Sequence, residues 1–597
     1  MRRGLRLHLA VLATLAMVMG LLPLVLSNPY YLNVLSIVGL NAIMVAGLTL
    51  FIGYAGQISL GHAAFYGMGA YISGVLSASY GLSPWATIPT ALTITALVAL
   101  LLGVPTLKLK GHYMVMATLG FNIIVSVVLV EWEGVTGGVS GFSGIPNLSL
   151  WGLVLESDRA YYYLIWGTFF LVAAGLFSMI LSRTGRALKA VKDGELAAGA
   201  LGVNVAGNKL MVFVLSALLA ALSGCLYAHY LTFISPKTFD IFFSIELVAM
   251  VIIGGMGSIW GSVAGAAFLT PLPQLLHVFD DYKDLIYGAI FMGMLVKAPQ
   301  GLAGIIGDLL ADRSRTPGVE FSGQTPREST WHPSAERENS KEELLRVNNL
   351  QKRFNGVRAL QGISFTVNRG DILGMIGPNG AGKTTAVNVI TGIEAPSGGK
   401  VFWKGKDITG ISSHKVAREG IVRTFQHVQV FPTMSVLENI LVGLHMRGSC
   451  GPVAGLLGLP RVSAEEERLM HRAWEMLSLF GIEEKANLRA GGLPYGEQRR
   501  VVMARAVAAD PELLFLDEPA AGLNTQETME MMELIVHIHS MGKTVVLIDH
   551  DMDLVMGLSH QVVVLNKGEI IAQGQPEEVQ GHRGVIEAYL GADAYAA

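Results

Sequence analysis

The chain has 597 residues, room for several domains, and its mean hydropathy of +0.48 with only 15% charged residues excludes an ordinary soluble protein. A formal net charge of −3 gives no basis for nucleic acid as a partner. Two cysteines, Cys225 in an apolar run and Cys450 in a Gly-rich stretch, supply neither a disulfide framework nor metal-ligand spacing and read as passive. These averages hide a split, because residues 1–310 hold 26 charged side chains and 311–597 hold 63.

Arg2, Arg3 and Arg6 precede an apolar run at 8–27. The run is long for a secretory signal core and lacks a small-residue cleavage site, so it reads as a retained first helix. Further apolar runs at 33–53, 60–80, 85–107, 113–130, 161–182, 209–230, 244–275 and 283–306 are each long enough to cross a bilayer. With the basic N-terminus inside, alternate threading puts ten basic residues in inside loops and three (Arg159, Lys237, Lys283) in outside loops. Glu131, Glu133, Glu156, Asp158, Asp280, Asp281 and Asp284 then fall outside, which supports the threading.

Nine single crossings would separate the two termini. The run at 244–275 exceeds what one helix needs, and its middle reads Gly254-Gly255-Met256-Gly257-Ser258-Ile259-Trp260-Gly261. Two readings stand: a break giving two short helices or a re-entrant hairpin, shielded by protein or lining a cavity, or close helix packing through small residues. A break gives about ten crossings with both termini inside. Intramembrane Gln57, Ser59, His62, Asn122, Glu246 and Gln274 either line a path or bond neighbouring helices. Residues 307–341, rich in Ser, Pro, Arg, Glu and Gly without periodicity, read as a solvated linker at the joint of a fusion. The expected division is therefore 1–306, 307–341 and 342–597.

In the polar half, Ile372-Leu373-Gly374-Met375-Ile376 reads as a buried strand running into Gly377-Pro378-Asn379-Gly380-Ala381-Gly382-Lys383-Thr384-Thr385, with a helix continuing from Ala386. That strand–loop–helix context makes the loop a phosphate cradle. Its glycines let backbone N–H groups approach phosphate oxygens at a helix N-terminus. Lys383 is placed to reach the β/γ-phosphates of ATP, and the Thr384 hydroxyl to ligate Mg²⁺. Leu513-Leu514-Phe515-Leu516-Asp517-Glu518 is a second buried strand ending in two acids before Pro519. Asp517 suits a magnesium carboxylate, and Glu518 a general base that orients water. A third run, Val545-Val546-Leu547-Ile548-Asp549-His550, ends in a candidate γ-phosphate contact. Gln426, in Arg423-Thr424-Phe425-Gln426, is placed to touch Mg²⁺ or water from a loop.

In this order these pieces resemble an ABC transporter ATPase across 344–590. The resemblance implies an α/β P-loop domain following an all-α membrane domain. It makes 377–385 the Walker A loop, Gln426 the Q-loop, 493–500 the signature, Asp517 and Glu518 Walker B with its base, 521–524 the D-loop and His550 the switch histidine. It also places adenine on an aromatic at Phe354, a residue that fits a core position equally well. The signature departs from Leu-Ser-Gly-Gly-Gln and reads Leu493-Pro494-Tyr495-Gly496-Glu497-Gln498-Arg499-Arg500. The serine hydroxyl is absent, while Gly496 and Glu497 at a helix N-terminus still face a nucleotide on a partner subunit.

This Pro-Tyr variant and Val585-Ile586-Glu587-Ala588-Tyr589-Leu590-Gly591 resemble the first ATPase of the branched-chain amino acid importers. Ala55-Gly56-Gln57-Ile58-Ser59-Leu60-Gly61-His62 and Ile253-Gly254-Gly255-Met256-Gly257-Ser258 resemble their permeases. The stretch Val191-Lys192-Asp193-Gly194-Glu195-Leu196-Ala197-Ala198 through Leu201-Gly202 resembles the coupling loop, with Asp193, Glu195 and Gly202 in it. The implied function is ATP-driven solute import across a cytoplasmic membrane, with branched-chain amino acids ahead of urea, short amides or other amino acids. An exporter or an ATP-gated channel fits less well. The implied partners are a second permease and a second ATPase, or a second copy of the chain, and an external solute-binding protein.

Overall fold

The computed structural model describes residues 2–26, 28–109, 111–150, 153–276, 282–297, 301–304 and 342–590. The expected linker at 307–341 lies outside the described residues. The chain forms two compact units. One comprises Met1–Leu188, Ala206–Pro317 and Gly451–Pro460, and the other Lys189–Val205, Gly318–Cys450 and Arg461–Ala597.

The first unit is helical. Among the described residues, six helices are long and apolar enough to cross a membrane: His8–Val25, Pro29–Tyr54, Pro84–Thr106, His112–Glu131, Asp158–Ile180 and Val205–Leu231. Helix Pro29–Thr49 is its spine. Pro29 opens it where no N–H is needed, and the Asn28 side chain caps the Tyr30 N–H at 3.0 Å. From Ser36 onward it is buried almost continuously, so a helix apolar on all faces finds protein on all faces.

The spine ends in a π-helical turn, Leu50–Tyr54. Non-helical residues 55–61 follow, and a new helix starts at His62. The run at 244–275 is also interrupted: helix Ile241–Gly254 stops at Gly255 (φ 111°), and helix Ile259–Leu269 begins with the Ser258 side chain accepting from the Gly261 N–H. Both readings of these glycines hold together. The chain breaks at 255–258, and the two short helices pack through small residues, for a Cβ on Gly254 would sit 2.1 Å from the Gly261 carbonyl oxygen.

The two breaks meet. A Cβ on Gly53 would lie 1.7 Å from the Met256 carbonyl oxygen, and the Tyr54 hydroxyl donates to the Gly257 carbonyl at 3.2 Å. Several interior polar groups find partners on other helices, as hydrocarbon surroundings favour. Thr49 bonds Ser262 at 2.6 Å, Asn41 bonds Thr270 at 2.8 Å, and His62 Nε2 lies 2.6 Å from the Ser216 hydroxyl.

The second unit is α/β. Its six-stranded sheet runs in the order Ile421–Arg423, Leu513–Asp517, Thr544–Ile548, Ile372–Ile376, Gln561–Asn566, Glu569–Gly574. All pairs are parallel except the last. Strands Ile372–Ile376, Leu513–Asp517 and Thr544–Ile548 are buried at every residue, as apolar runs covered on both faces should be. A four-stranded antiparallel sheet, ordered Val357–Asn368, Glu343–Phe354, Gly398–Trp403, Lys406–Asp407, completes the unit. In the six-stranded sheet the parallel register aligns Asp517 with Ile548 and Ile548 with Met375. The segments after these strands therefore leave the sheet at one edge, the usual ligand edge of a parallel sheet.

Candidate nucleotide site

At that edge the phosphate-type loop joins strand Ile372–Ile376 to helix Lys383–Ile390. Gly377 (φ 152°) and Gly382 (φ 104°) have no room for a side chain: a Cβ would fall 2.1 Å from the Leu565 carbonyl and 2.7 Å from that of Ala359. Gly380 (φ 80°) faces open space. The cradle thus has tight walls and an open mouth, which fits a polyphosphate. Pro378, Asn379 and Ala381 complete its rim, and the Ala381 N–H closes the turn onto the Pro378 carbonyl at 3.1 Å. The Lys383 ammonium donates to the carbonyls of Gly377 (2.5 Å) and Pro378 (3.3 Å). Burial lowers its pKa, against the opposing charges of Glu518 and Asp517. Thr384 is exposed at the helix N-terminus beside the half-buried Thr385.

Asp517 is buried and pairs with Arg423 at 2.9 Å. Burial raises its pKa while the guanidinium pulls it down. Arg423 also donates to Asn388 Oδ1 at 2.5 Å, tying strand Ile421–Arg423 to the helix behind the loop. Glu518 is held on both oxygens. Gln426 Nε2 donates to its Oε2 at 2.9 Å, and His550 Nε2 lies 2.9 Å from its Oε1. Its backbone sits at φ 46°, a left-handed conformation that costs a non-glycine residue about 1–3 kcal/mol. The structure thus brings together Lys383, Gln426, the adjacent Asp517 and Glu518, and His550 from four chain segments.

Phe354 is 41% exposed rather than in the core, with the Lys352 ammonium 4.6 Å from its ring centroid. The signature opens helix Tyr495–Ala508, whose N-cap Pro494 supplies no side-chain acceptor. A Cβ on Gly496 would lie 2.6 Å from Glu527 Oε1 at the tip of that side chain, and Glu497 pairs with Lys485 at 2.5 Å.

Sequence reasoning passed over three residues. Arg423 is the partner of Asp517. Asp549 accepts the His550 N–H at 2.7 Å and carries a buried Oδ2 without a hydrogen-bond partner. Arg499 donates to backbone carbonyls at 426, 518 and 521. Only their neighbourhood to the motifs marked them, and for Arg499 the backbone acceptors leave no trace in side-chain patterns.

The second unit also includes Lys189–Val205. Asp193 Oδ2 accepts from both the N–H (3.1 Å) and the hydroxyl (2.7 Å) of Thr433, and Lys189 pairs with Glu438 at 3.2 Å. Glu195 is exposed and heads the short helix Glu195–Ala200. Gly202 (φ 83°) sits where a Cβ would meet Met446 Sδ at 2.3 Å.

Comparison with known proteins agrees with this geometry. The ABC transporter family matches residues 360–521. A high-affinity branched-chain amino acid transport ATP-binding protein, LivG, from Salmonella typhimurium is 44% identical over 249 residues, covering 42% of this chain and 98% of that protein. The chain belongs to the ABC transporters. LivG of Escherichia coli is 43% identical over 249 residues, and BraF of Pseudomonas aeruginosa 44% over the same length; each comparison covers 42% of this chain and 98% of the relative. In the membrane half of the transporter, residues 30–295 match a branched-chain amino acid transport system permease component. Residues 569–595 match the branched-chain amino acid ATP-binding cassette transporter family. This ABC transporter therefore joins a helical permease domain and an α/β ATPase that binds nucleotide and couples its hydrolysis to transport, with the ATPase on the cytoplasmic side. As a member of such a system it works with further subunits.

Proposed function

We propose that this chain is the fused permease and ATPase subunit of an importer for branched-chain or related hydrophobic amino acids in the cytoplasmic membrane. One observation carries the reading: a permease and a LivG-like ATPase of the same transport class lie in one polypeptide. The partners are a second permease and ATPase, or a second copy of the chain, together with an external solute-binding protein. We assign residues 1–306 to the permease, 307–341 to the linker and 342–597 to the ATPase.

In this reading the cradle at 377–385 and Lys383 hold the phosphates, Phe354 supports the base, and Thr384, Gln426 and Asp517 surround Mg²⁺. The residues present fit that ion. The Thr384 hydroxyl and the Asp517 carboxylate are the oxygen donors that this hard cation takes, and in ATPases few protein groups hold it, with water and phosphate doing the rest. Bound there, Mg²⁺ neutralises charge on the phosphates. Glu518 takes the proton of the attacking water, and His550 and Gln426 hold its carboxylate in place. Gly496 and Glu497 serve the nucleotide of the partner ATPase, and Asp193, Glu195 and Gly202 form the coupling segment.

Leucine uptake into vesicles holding the complex and ATP, with and without the solute-binding protein, tests the function. Uptake that requires both supports import. ATP-dependent loss of leucine from loaded vesicles would favour an exporter, uptake of urea or acetamide in place of leucine a different substrate, and ATP-gated flux without hydrolysis a channel. The coupling assignment has its own test. Gly202→Val forces a β-branched side chain into a left-handed backbone against Met446, and it should lower uptake per ATP hydrolysed several-fold while ATP binding persists. An unchanged transport-to-hydrolysis ratio would remove Gly202 from the coupling path.

A further inference from the structure

Tyr495 stands where ABC signatures usually carry glycine, and the structure shows what it contacts. Its hydroxyl lies 3.0 Å from Arg499 Nη2, and the Arg499 guanidinium sits 5.4 Å from its ring centroid. Its ring also covers the segment after Glu518, where a Cβ on Gly522 would come within 3.2 Å of Tyr495 Cε1. Arg499 is buried, at 5% exposure. It donates through Nη1 to the Glu518 carbonyl at 2.5 Å and through Nη2 to the carbonyls of Ala521 (2.9 Å) and Gln426 (3.3 Å). One guanidinium thus holds the backbone of the candidate base, of the segment after it and of the glutamine loop, while its own position is set by a signature side chain.

The chemistry of the pair explains why these residue types occur. A guanidinium is a planar fork with five donors, whereas an ammonium is a point. Three carbonyls approaching from different segments need the fork. Glu518 is also the residue whose backbone sits in the left-handed region. Strained residues persist only when the surroundings over-determine them, and the Arg499 bond to its carbonyl is one such constraint.

We propose that Tyr495 and Arg499 are positioning residues that tie the signature to this chain's own catalytic carboxylate. When the signature takes up the nucleotide of a partner ATPase, Tyr495 carries that displacement to Arg499, and Arg499 sets the backbone of Glu518. The Pro-Tyr signature, which lacks the usual serine, thereby makes hydrolysis at one composite site depend on occupancy of the other. The inference rests on Glu518 being the base and on the signature serving a partner's site.

The test is steady-state ATP hydrolysis by the intact complex carrying Tyr495→Phe, Tyr495→Gly or Arg499→Lys, with Glu518→Gln as a separate control. Expected for Arg499→Lys and Tyr495→Gly is a fall in kcat of about tenfold, typical of losing a group that orients a reacting residue, with KM for ATP and Tm close to wild type. The Hill coefficient for ATP should drop towards one. Tyr495→Phe keeps the ring and loses only the hydroxyl, so it should fall between. Wild-type kcat and Hill coefficient in Arg499→Lys would overturn the linkage, and so would a loss of kcat matched by a lowered Tm or raised KM, which marks a structural role. Full turnover in Glu518→Gln would instead overturn the reading of the base, whatever the pair does.

Discussion

Replacing Glu518 by glutamine should lower ATP turnover by about a hundredfold or more, the range expected for loss of a general base, while ATP binding persists. The substitution is conservative in every respect but charge. Glutamine has the same length and the same access to φ 46° as glutamate, so the left-handed turn after strand Leu513–Asp517 survives. Its amide oxygen still accepts from Gln426 Nε2, now 2.9 Å from Glu518 Oε2. The cradle, Lys383 and the Asp517–Arg423 pair are untouched. What disappears is the carboxylate proposed to take the proton of the attacking water. The complex should therefore retain labelled ATP through gel filtration, release no phosphate in a single-turnover assay, and take up no leucine. Uptake at the wild-type rate would show that the base is another group.

Gly53→Val should remove most of the folded protein from the membrane, the largest effect expected in the permease. Overpacking a well-filled interior costs about 1–3 kcal/mol when the intruded atoms can shift. Here a Cβ would lie 1.7 Å from the Met256 carbonyl oxygen and 2.9 Å from its carbon, which are backbone atoms. That backbone is anchored by Gly255 at φ 111° and by the Tyr54 bond to Gly257. The cost therefore lies at or above the top of that range, a large share of a typical folding free energy of about 5–15 kcal/mol. Gly120→Val is the control, because a Cβ there meets nothing within 4 Å. Thermal melting of both variants in detergent, with membrane yield, decides it. Equal loss in the two variants would mean that the contact between the breaks is not what limits stability.

Much of the ATPase was legible because its chemistry sits at the ends of strands. An all-apolar run that stops at Asp517-Glu518 or at Asp549-His550 announces both a buried strand and the point where polar groups must emerge. The break at 255–258 was legible by length, since 32 residues of apolar chain are too many for one crossing. The contact between that break and Gly53 was not, because the two glycines lie some 200 positions apart and only the fold brings them together. Arg499 was hidden for a related reason. Its acceptors are carbonyl oxygens, which every residue carries, so no pattern of side chains points to them. Phe354 left two readings open in the sequence, and exposure alone separated surface from core. The grouping of Gly451–Pro460 with the helical unit had no signal beyond an apolar, glycine-rich composition.

The paired short helices carry one more consequence. With 14 and 11 residues, Ile241–Gly254 and Ile259–Leu269 reach about 21 and 17 Å at 1.5 Å per residue, against roughly 30 Å of hydrocarbon. Neither helix alone is long enough to cross that layer, and Met256 and Gly257 at their junction are exposed on the surface of the unit. Peptide groups within that layer need a partner or water. The Tyr54 hydroxyl bond to the Gly257 carbonyl is one such partner, so the turn that ends the spine also satisfies the backbone that interrupts the second run.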